Sequence, residues 1–292
     1  MFVSIKMDKK DYYMGKEGKT KSRINPVREF YKDRKLIKKL ALNDFKTRYA
    51  GSYLGIVWAF IQPVVTVLVY WIVFEKGLKQ GTDIVTQGIQ VPYLLHLMSG
   101  LVPWFFFSEA LMNGTTSLLE YNYLVKKVVF KISILPLIKI IAASFIHIFF
   151  VCFMLLVTMC YGIHPTVYWL QLIYYSFCLF MLVLATSYST CSIVIFFRDL
   201  TQLISIGLQV GMWATPILWN ISILANHPVL AFIFKLNPVY YIVNGYRGSL
   251  YGEEFIWQSP WLTLYYWALV LVLFVAGRII FKRLKPHFAD VL

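Results

Sequence analysis

The sequence predicts an all-α integral membrane protein with six membrane-spanning helices. Of its 292 residues, 59% are hydrophobic and 14% are charged, whereas about a quarter of the residues in a soluble domain are charged. A membrane-spanning helix needs about 20 mostly apolar residues. The stretches that meet this length are 54–74, 92–112, 137–163, 168–197, 200–221 and 261–281.

The basic residues predict how these helices are oriented. If both termini lie on one side, that side collects 24 of the 28 Lys and Arg residues and the other side keeps 4. Because loops rich in Lys and Arg stay in the cytoplasm, we expect both termini, including 286–292, to be cytoplasmic. Residues 1–53 alone carry 15 of these cations, which suits an anionic membrane surface. No nucleic-acid-binding motif accompanies them, so we expect no nucleic-acid partner.

Two segments precede the six-span domain, which we place at 51–285. Residues 1–24 are polar and basic, and we expect them to form a flexible tail. Asn25-Pro26 is typical of a helix start, and 25–50 then combines apolar residues at helical spacing with many lysines. A basic amphipathic helix of this kind lies in the headgroup plane of a membrane. Its lysines either anchor the chain or help to bind an anionic substrate.

The segment 117–130 joins the second and third predicted spans on the cytoplasmic side. Its apolar residues can share one helical face, with Glu120, Asn122 and Lys126 on the others. The pattern predicts a short amphipathic helix. From the residues alone, this helix either lies on the membrane surface or binds a cytoplasmic partner.

The outer region 222–252 does not fit the simple spanning pattern. The apolar stretches 224–236 and 239–251 are each too short to cross a membrane, and Asn237-Pro238 separates them. Proline and the residue before it disfavour a continuous helix. We predict two re-entrant half-helices, and the alternative is a hairpin that lies flat on the outer surface. Arg247 would be costly in lipid, so we expect it to face a passage or a protein partner. The alternative is that its side chain extends to the outer headgroups.

Residues that could carry catalysis are few. Gly18-Lys19-Thr20 lacks the upstream glycine of a phosphate-binding loop, because Tyr13 stands there. Neither a nucleophile with its base nor a metal-ligand spacing can be identified. The sequence therefore predicts no enzyme, no metal and no cofactor on this chain. Arg198 and Asp199 are predicted to form a structural pair at the turn between the fourth and fifth spans, or a functional pair within the membrane.

Several short motifs follow one another between residues 42 and 285. They are Tyr53-Leu54-Gly55-Ile56-Val57-Trp58, Gly100-Leu101-Val102-Pro103-Trp104, Leu124-Val125-Lys126-Lys127, Phe197-Arg198-Asp199-Leu200, Thr215-Pro216-Ile217 and Leu236-Asn237-Pro238. In the order and spacing of these motifs the chain resembles the type-two ABC export permeases. Those proteins are membrane subunits that export O-antigen polysaccharides or wall teichoic acids.

The resemblance implies an architecture and a set of partners. It implies six spans in the bacterial cytoplasmic membrane and two re-entrant helices at the outer face. It also implies a homodimer bound to two cytoplasmic ATPase subunits, which would hold the ATP and magnesium. A lipid-linked polymer would pass between the two protomers.

The resemblance also implies roles for individual residues. The helix at 117–130 becomes a coupling helix, with Glu120, Tyr123, Leu124, Lys126 and Lys127 at the ATPase. The basic helix becomes an interface helix near the lipid-linked pyrophosphate, with Lys35, Lys38, Lys39 and Arg48 in substrate uptake. The outer gate is assigned to Asn237, Pro238, Tyr240, Tyr241, Tyr246 and Arg247.

Two other functions stay open. A small-molecule or drug exporter of the same broad fold would share the topology but would not need the basic uptake helix. A membrane glycosyltransferase or acyltransferase would need an acid–base constellation, which the sequence does not offer.

Overall fold

The structure is a computed structural model that describes residues 26–48, 50–77, 85–86, 89–126, 131–252 and 255–292. Side chains are described from residue 34 onward, and only the backbone is described for the strands at 85–86 and 89–90. The predicted tail at 1–24 and Lys127 of the predicted coupling helix lie outside the described residues.

The described residues form an almost wholly helical chain. The α-helices in chain order are α1 (Pro26–Arg48), α2 (Trp58–Trp71), α3 (Tyr93–Glu120), α4 (Asn122–Val125), α5 (Leu135–Cys160), α6 (Gln171–Ile193), α7 (Leu200–Ala214), α8 (Pro228–Lys235), α9 (Pro238–Tyr251), α10 (Pro260–Leu284) and α11 (Phe288–Val291). A π-helical stretch, Ile72–Gly77, continues α2. Two-residue strands β1 (Val85–Thr86) and β2 (Ile89–Gln90) pair antiparallel.

Within the described ranges, five helical segments are long and apolar enough to cross a membrane. They are Gly55–Gly77, Tyr93–Glu120, Ile132–Cys160, Val167–Ile193 and Pro260–Val291. These segments match the first four predicted spans and the sixth. The prediction of an all-α, multi-pass membrane protein is therefore confirmed at this level.

The fifth predicted span, 200–221, is shorter than the sequence indicated. Helix α7 has 15 residues and ends at Ala214, so it is about 22 Å long at 1.5 Å per residue. The cause is Pro216, because a residue before proline avoids the helical region. Thr215 is accordingly extended, with φ −93° and ψ 130°. Residues 215–218 continue from α7 as a buried, unwound segment.

Helix α3 lies at the centre of the bundle. In its most apolar part 72% of the residues are buried, compared with 6% in the first span. Close packing against α6 depends on Gly114, where a Cβ would overlap the Ser187 side chain. The outward-facing residues of α2 and α7 are large and apolar, including Val65, Leu203 and Val210, as expected of helices that border lipid or another membrane chain.

Helix α1 packs against one end of the bundle, which we call the basal end. Ile37 and Ala41 of α1 are buried in one apolar cluster with Leu118 of α3 and Leu135 of α5. The side of α1 that carries these residues therefore packs on the bundle, as the apolar stripe of a surface helix does. Its position in the headgroup plane stays a prediction.

The opposite, distal end of the bundle carries α8 and α9. The helical structure is interrupted between them at Leu236 and Asn237, where the sequence predicts an interruption. Helix α8 is exposed except at the half-buried Ala231 and Phe234, whereas α9 is buried among α3, α6 and α10 except at Pro238 and Asn244. The first half-helix begins at Pro228, four residues later than predicted, and proline is favoured at the first position of a helix. Residues Ile221–Leu224 before it form a separate 3-10 turn.

Candidate functional site

The predicted uptake lysines lie on the outward side of α1. Lys35, Lys38 and Lys39 are exposed, while the neighbouring Ile37 and Ala41 are buried. Three ammonium groups at adjacent turns thus line the basal surface of the protein. The geometry allows them to meet an anionic headgroup.

Arg48 lies apart from these lysines. Its Nη1 atom donates to Glu109 Oε1 on α3 at 2.5 Å, and its Nη2 atom donates to Asp44 Oδ2 at 3.2 Å. The structure therefore does not bring Arg48 together with Lys35, Lys38 and Lys39, and its role in substrate uptake stays a prediction. Arg48 lies thirteen residues after Lys35 on a helix of 3.6 residues per turn, at the end of α1 that meets α3, so the guanidinium binds carboxylates of its own chain.

Lys139 is the centre of a buried charge network that the sequence pattern did not predict. Its Nζ atom lies 2.6 Å from Asp44 Oδ1 on α1 and 2.5 Å from Glu120 Oε2 at the end of α3. Lys139 and Asp44 are each only 5% exposed. Two signals could have found the pair: a lysine within the first turns of an apolar helix, and an aspartate on the apolar side of α1.

Tyr121 completes this network. Its hydroxyl donates to Asp44 Oδ1 at 2.7 Å, and the ring lies under the Lys139 ammonium at 4.9 Å. Burial raises the pKa of Tyr121, and the hydrogen bond to the Asp44 carboxylate raises it further. The phenol therefore stays protonated and acts as a donor at neutral pH.

The predicted coupling helix is divided in the structure. Residues 117–120 belong to α3, which continues through Gly114 to Glu120, and only Asn122–Val125 forms a separate turn, α4. The side chain of Tyr123 is 51% exposed and Lys126 is exposed, while Leu124 is half-buried. The predicted coupling residues that the structure describes therefore form a small surface at the basal end. Glu120 differs from the others in that Lys139 and Thr116 bind its carboxylate.

At the distal end, Asn237 links the two half-helices to α7. Its Oδ1 atom accepts from the Val239 N–H at 3.0 Å and so caps α9. Its Nδ2 atom donates to Thr215 Oγ1 at 2.8 Å. Pro238 is the first residue of α9, where its missing N–H costs no helical hydrogen bond.

Arg247 is placed differently from the prediction. Its Nη1 atom donates to the Pro216 carbonyl at 2.8 Å and its Nη2 atom to the Ile217 carbonyl at 3.0 Å. Tyr93 donates to the next carbonyl, that of Leu218. The expectation that Arg247 faces a passage or a partner is therefore wrong for this conformation. The unwound segment offers buried carbonyls that need donors, and Arg247 supplies two of them.

The predicted gate tyrosines are buried. The Tyr246 hydroxyl lies 3.0 Å from His147 Nε2 and 2.6 Å from Ser176 Oγ. His147 is twelve residues from the basal end of α5, which places this contact about 18 Å along the helix. Helix α9 thus reaches the middle of the bundle.

Tyr240 and Tyr241 line a cavity of about 160 Å³ beside α6 and α10. Tyr241 also lies within hydrogen-bonding distance of Tyr174 and Thr263. These contacts tie α9 to both neighbouring helices.

The predicted pairing of Arg198 with Asp199 is not present. Both side chains are exposed, and in the described structure no ion pair joins them. At exposed positions such as these, an ion pair gains little stability over separate hydration of the two charges. In the same described ranges, no cluster of His, Cys, Asp or Glu could hold a metal ion.

Comparisons with known proteins identify relatives of this chain. A family model described as "ABC-2 type transporter" matches residues 35–251. An "O-antigen export system permease protein RfbA" of Myxococcus xanthus is 29% identical over 269 residues, which cover 91% of this chain and 99% of that protein. A protein of the same name from Klebsiella pneumoniae is 26% identical over 253 residues, which cover 85% of this chain and 92% of that protein.

Proposed function

The chain belongs to the ABC-2 type transporter family, and on that premise we propose that it is the permease subunit of an ATP-driven exporter of a lipid-linked polysaccharide. The observation that carries this proposal is the extent of the similarity. Alignment to a permease named for O-antigen export covers 99% of that protein. A shared fold alone would support less, because one fold hosts many functions.

The partners follow from the family. An ABC permease works with a separate ATPase, and the exposed Tyr123 and Lys126 beside α4 offer a docking surface for it. ATP and magnesium would bind to that subunit. We infer a homodimer, with the polymer passing between protomers whose exposed apolar helices α2 and α7 face each other or lipid. The cargo class is an O-antigen polysaccharide, or a wall teichoic acid of similar lipid-linked chemistry.

The orientation rests on charge. The termini, α1 and α4 would lie in the cytoplasm, because the basic residues concentrate there. The membrane would be the bacterial cytoplasmic membrane. Lys35, Lys38 and Lys39 would then lie where the lipid-linked pyrophosphate is taken up.

At the outer side, we infer that α8 and α9 are re-entrant and close the exit. Two observations support this. Helix α9 is buried and reaches His147 in the middle of α5. Helix α8 has eight residues, too few to cross.

Gene deletion tests the function. Without this chain, a lipid-linked glycan should accumulate inside the cell while the matching surface glycan disappears, and the wild-type gene should restore export. Mass spectrometry of the lipid extract measures the first effect, and antibody or lectin staining of intact cells measures the second. Unchanged surface glycans together with no accumulated intermediate would refute the proposed function.

A further inference from the structure

Lys139 joins two elements that are far apart in the sequence. Asp44, one of its carboxylate partners, lies about one turn before the end of α1, and Glu120, the other, is the last residue of α3. Tyr121 and α4 follow Glu120 directly. One buried ammonium group therefore bridges α1 to the segment that leads into α4.

We propose that Lys139 is a positioning residue that fixes α1 to α4, so that a movement of α4 also moves α1. The inference rests on the proposed function, in which the ATPase docks at α4 and α1 receives the lipid-linked headgroup. It adds a physical connection between those two sites within one protomer.

The contacts around Lys139 restrict the relative position of the two elements. The ammonium lies within 2.6 Å of both carboxylates, and Tyr121 donates to the Asp44 oxygen that Lys139 contacts. Charge-assisted hydrogen bonds of this kind are short and directional. Stability alone does not require them, because well-packed apolar residues often replace a buried ion pair without loss. The arrangement thus favours a role in geometry.

Arg48 strengthens the same junction from the other side of Asp44. It pairs with Asp44 and with Glu109 of α3. The ion pairs described here thus join three carboxylates through two cations. Removing the Lys139 charge leaves Asp44 and Glu120 facing each other without a cation between them, and like charges repel.

A distance measurement tests the connection directly. Spin labels are placed at the exposed Asn43 of α1 and Asn122 of α4, in the full chain with its four native cysteines replaced and its ATPase bound. The distance between the labels is then recorded without nucleotide and with trapped ATP. In the wild type we expect one narrow distance that nucleotide leaves unchanged. In Lys139→Met we expect a broad distribution that shifts with nucleotide.

Matched variants separate positioning from folding. Lys282→Met removes an exposed lysine from α10 and should behave as the wild type does. Lys139→Arg keeps a cation between the carboxylates and should restore most of the narrow distance. If Lys139→Met does not accumulate in membranes, Asp44→Asn removes the opposite charge with little change in shape, and the same broadening is expected.

Transport supplies the second readout. In Lys139→Met, export per ATP hydrolysed should fall about tenfold or more, a size typical of coupling between sites, while the ATPase rate of the complex is retained. A merely structural role would instead lower the amount of complex and both activities in parallel.

Two results would overturn the inference: a narrow, nucleotide-independent distance in both Lys139→Met and Asp44→Asn, or a wild-type distance that itself changes with nucleotide. Neither distance result requires a polymer. Failure of the proposed function is distinguishable, because it would appear as a wild-type complex that exports no lipid-linked glycan.

Discussion

Arg247 compensates for the carbonyl groups that are left when helix α7 ends early. The backbone after Ala214 cannot continue its helical hydrogen bonds, since Pro216 lacks an N–H group and imposes an extended Thr215. The carbonyls of Pro216 and Ile217 are buried and accept from the Arg247 guanidinium. The planar fork of arginine suits two neighbouring acceptors, which the point charge of lysine does not. This residue therefore holds α9 to the unwound segment.

Replacing Arg247 by methionine should destabilise the protein. Both carbonyls would lose a donor while staying buried, and each such loss costs about 1–3 kcal/mol. We expect a lower melting temperature in detergent, with Arg247→Lys between the variant and the wild type. Arg278→Met, at an exposed position of α10, is the control and should melt with the wild type. Equal melting temperatures for Arg247→Met and the control would show that the two hydrogen bonds add no stability.

At the scale of single elements, the two sides of α1 differ in what they contact. Its inward side packs on α5 and carries Asp44, while its outward side presents Lys35, Lys38 and Lys39. Each basic residue near an anionic surface contributes about 1 kcal/mol of attraction. Changing all three lysines to Glu should therefore reduce export strongly without unfolding α1, because none of them is buried.

The matched control for α1 is the triple change of the same lysines to Arg. It keeps the charge, so export should stay close to that of the wild type. Export is measured as surface glycan per cell, and cysteine accessibility verifies that the topology is unchanged. Normal export by the Glu variant in the correct topology would leave these lysines with a role in anchoring alone.

The short helix α4 should couple the permease to its ATPase. Tyr123 is largely exposed and Leu124 is half-buried beside it, which is the pattern of an apolar contact for a partner. Charged replacements, Tyr123→Glu with Leu124→Glu, should abolish ATPase stimulation, because burying an unpaired charge in an interface is costly. Lys285→Glu, at an exposed site on the same side of the protein, serves as the control. Unchanged co-purification and unchanged ATP hydrolysis in the double variant would exclude α4 as the contact.

For the whole molecule, the sequence predicted those features that depend on the length of an apolar stretch or on a proline. Five of six spans agree with it, and so does the break at Asn237, because hydrophobic length and proline act over a few neighbouring residues. The length of α7 was overestimated, since its apolar composition continues past the point where Pro216 ends the helix. The network around Lys139 could not be predicted, for another reason. Asp44, Glu120 and Lys139 lie on three different helices and come into contact only when those helices pack together. Their spacing in the sequence therefore does not indicate the contact.

The placement of α8 and α9 in the membrane is a prediction about the whole molecule. Phe232 of α8 is 63% exposed within the chain, so the protein alone does not shield it. If α8 dips into the outer leaflet, lipid or the second protomer covers this position. If the pair lies flat on the outer surface, water reaches it. A membrane-impermeant maleimide can distinguish these cases.

Single cysteines are introduced at Asn226, Phe232, Asn237 and Trp257 in a chain without Cys152, Cys160, Cys178 and Cys191. Gly252 is avoided, because its φ of 72° would strain a cysteine. In intact cells we expect labelling at Asn226 and Trp257, and protection at Phe232 and Asn237. A cysteine at Asn43 of α1 is the orientation control and should react only after permeabilisation. Strong labelling of Phe232 in intact cells would mean that α8 lies flat on the outer surface, and the assignment of α8 and α9 as an outer gate would have to be dropped.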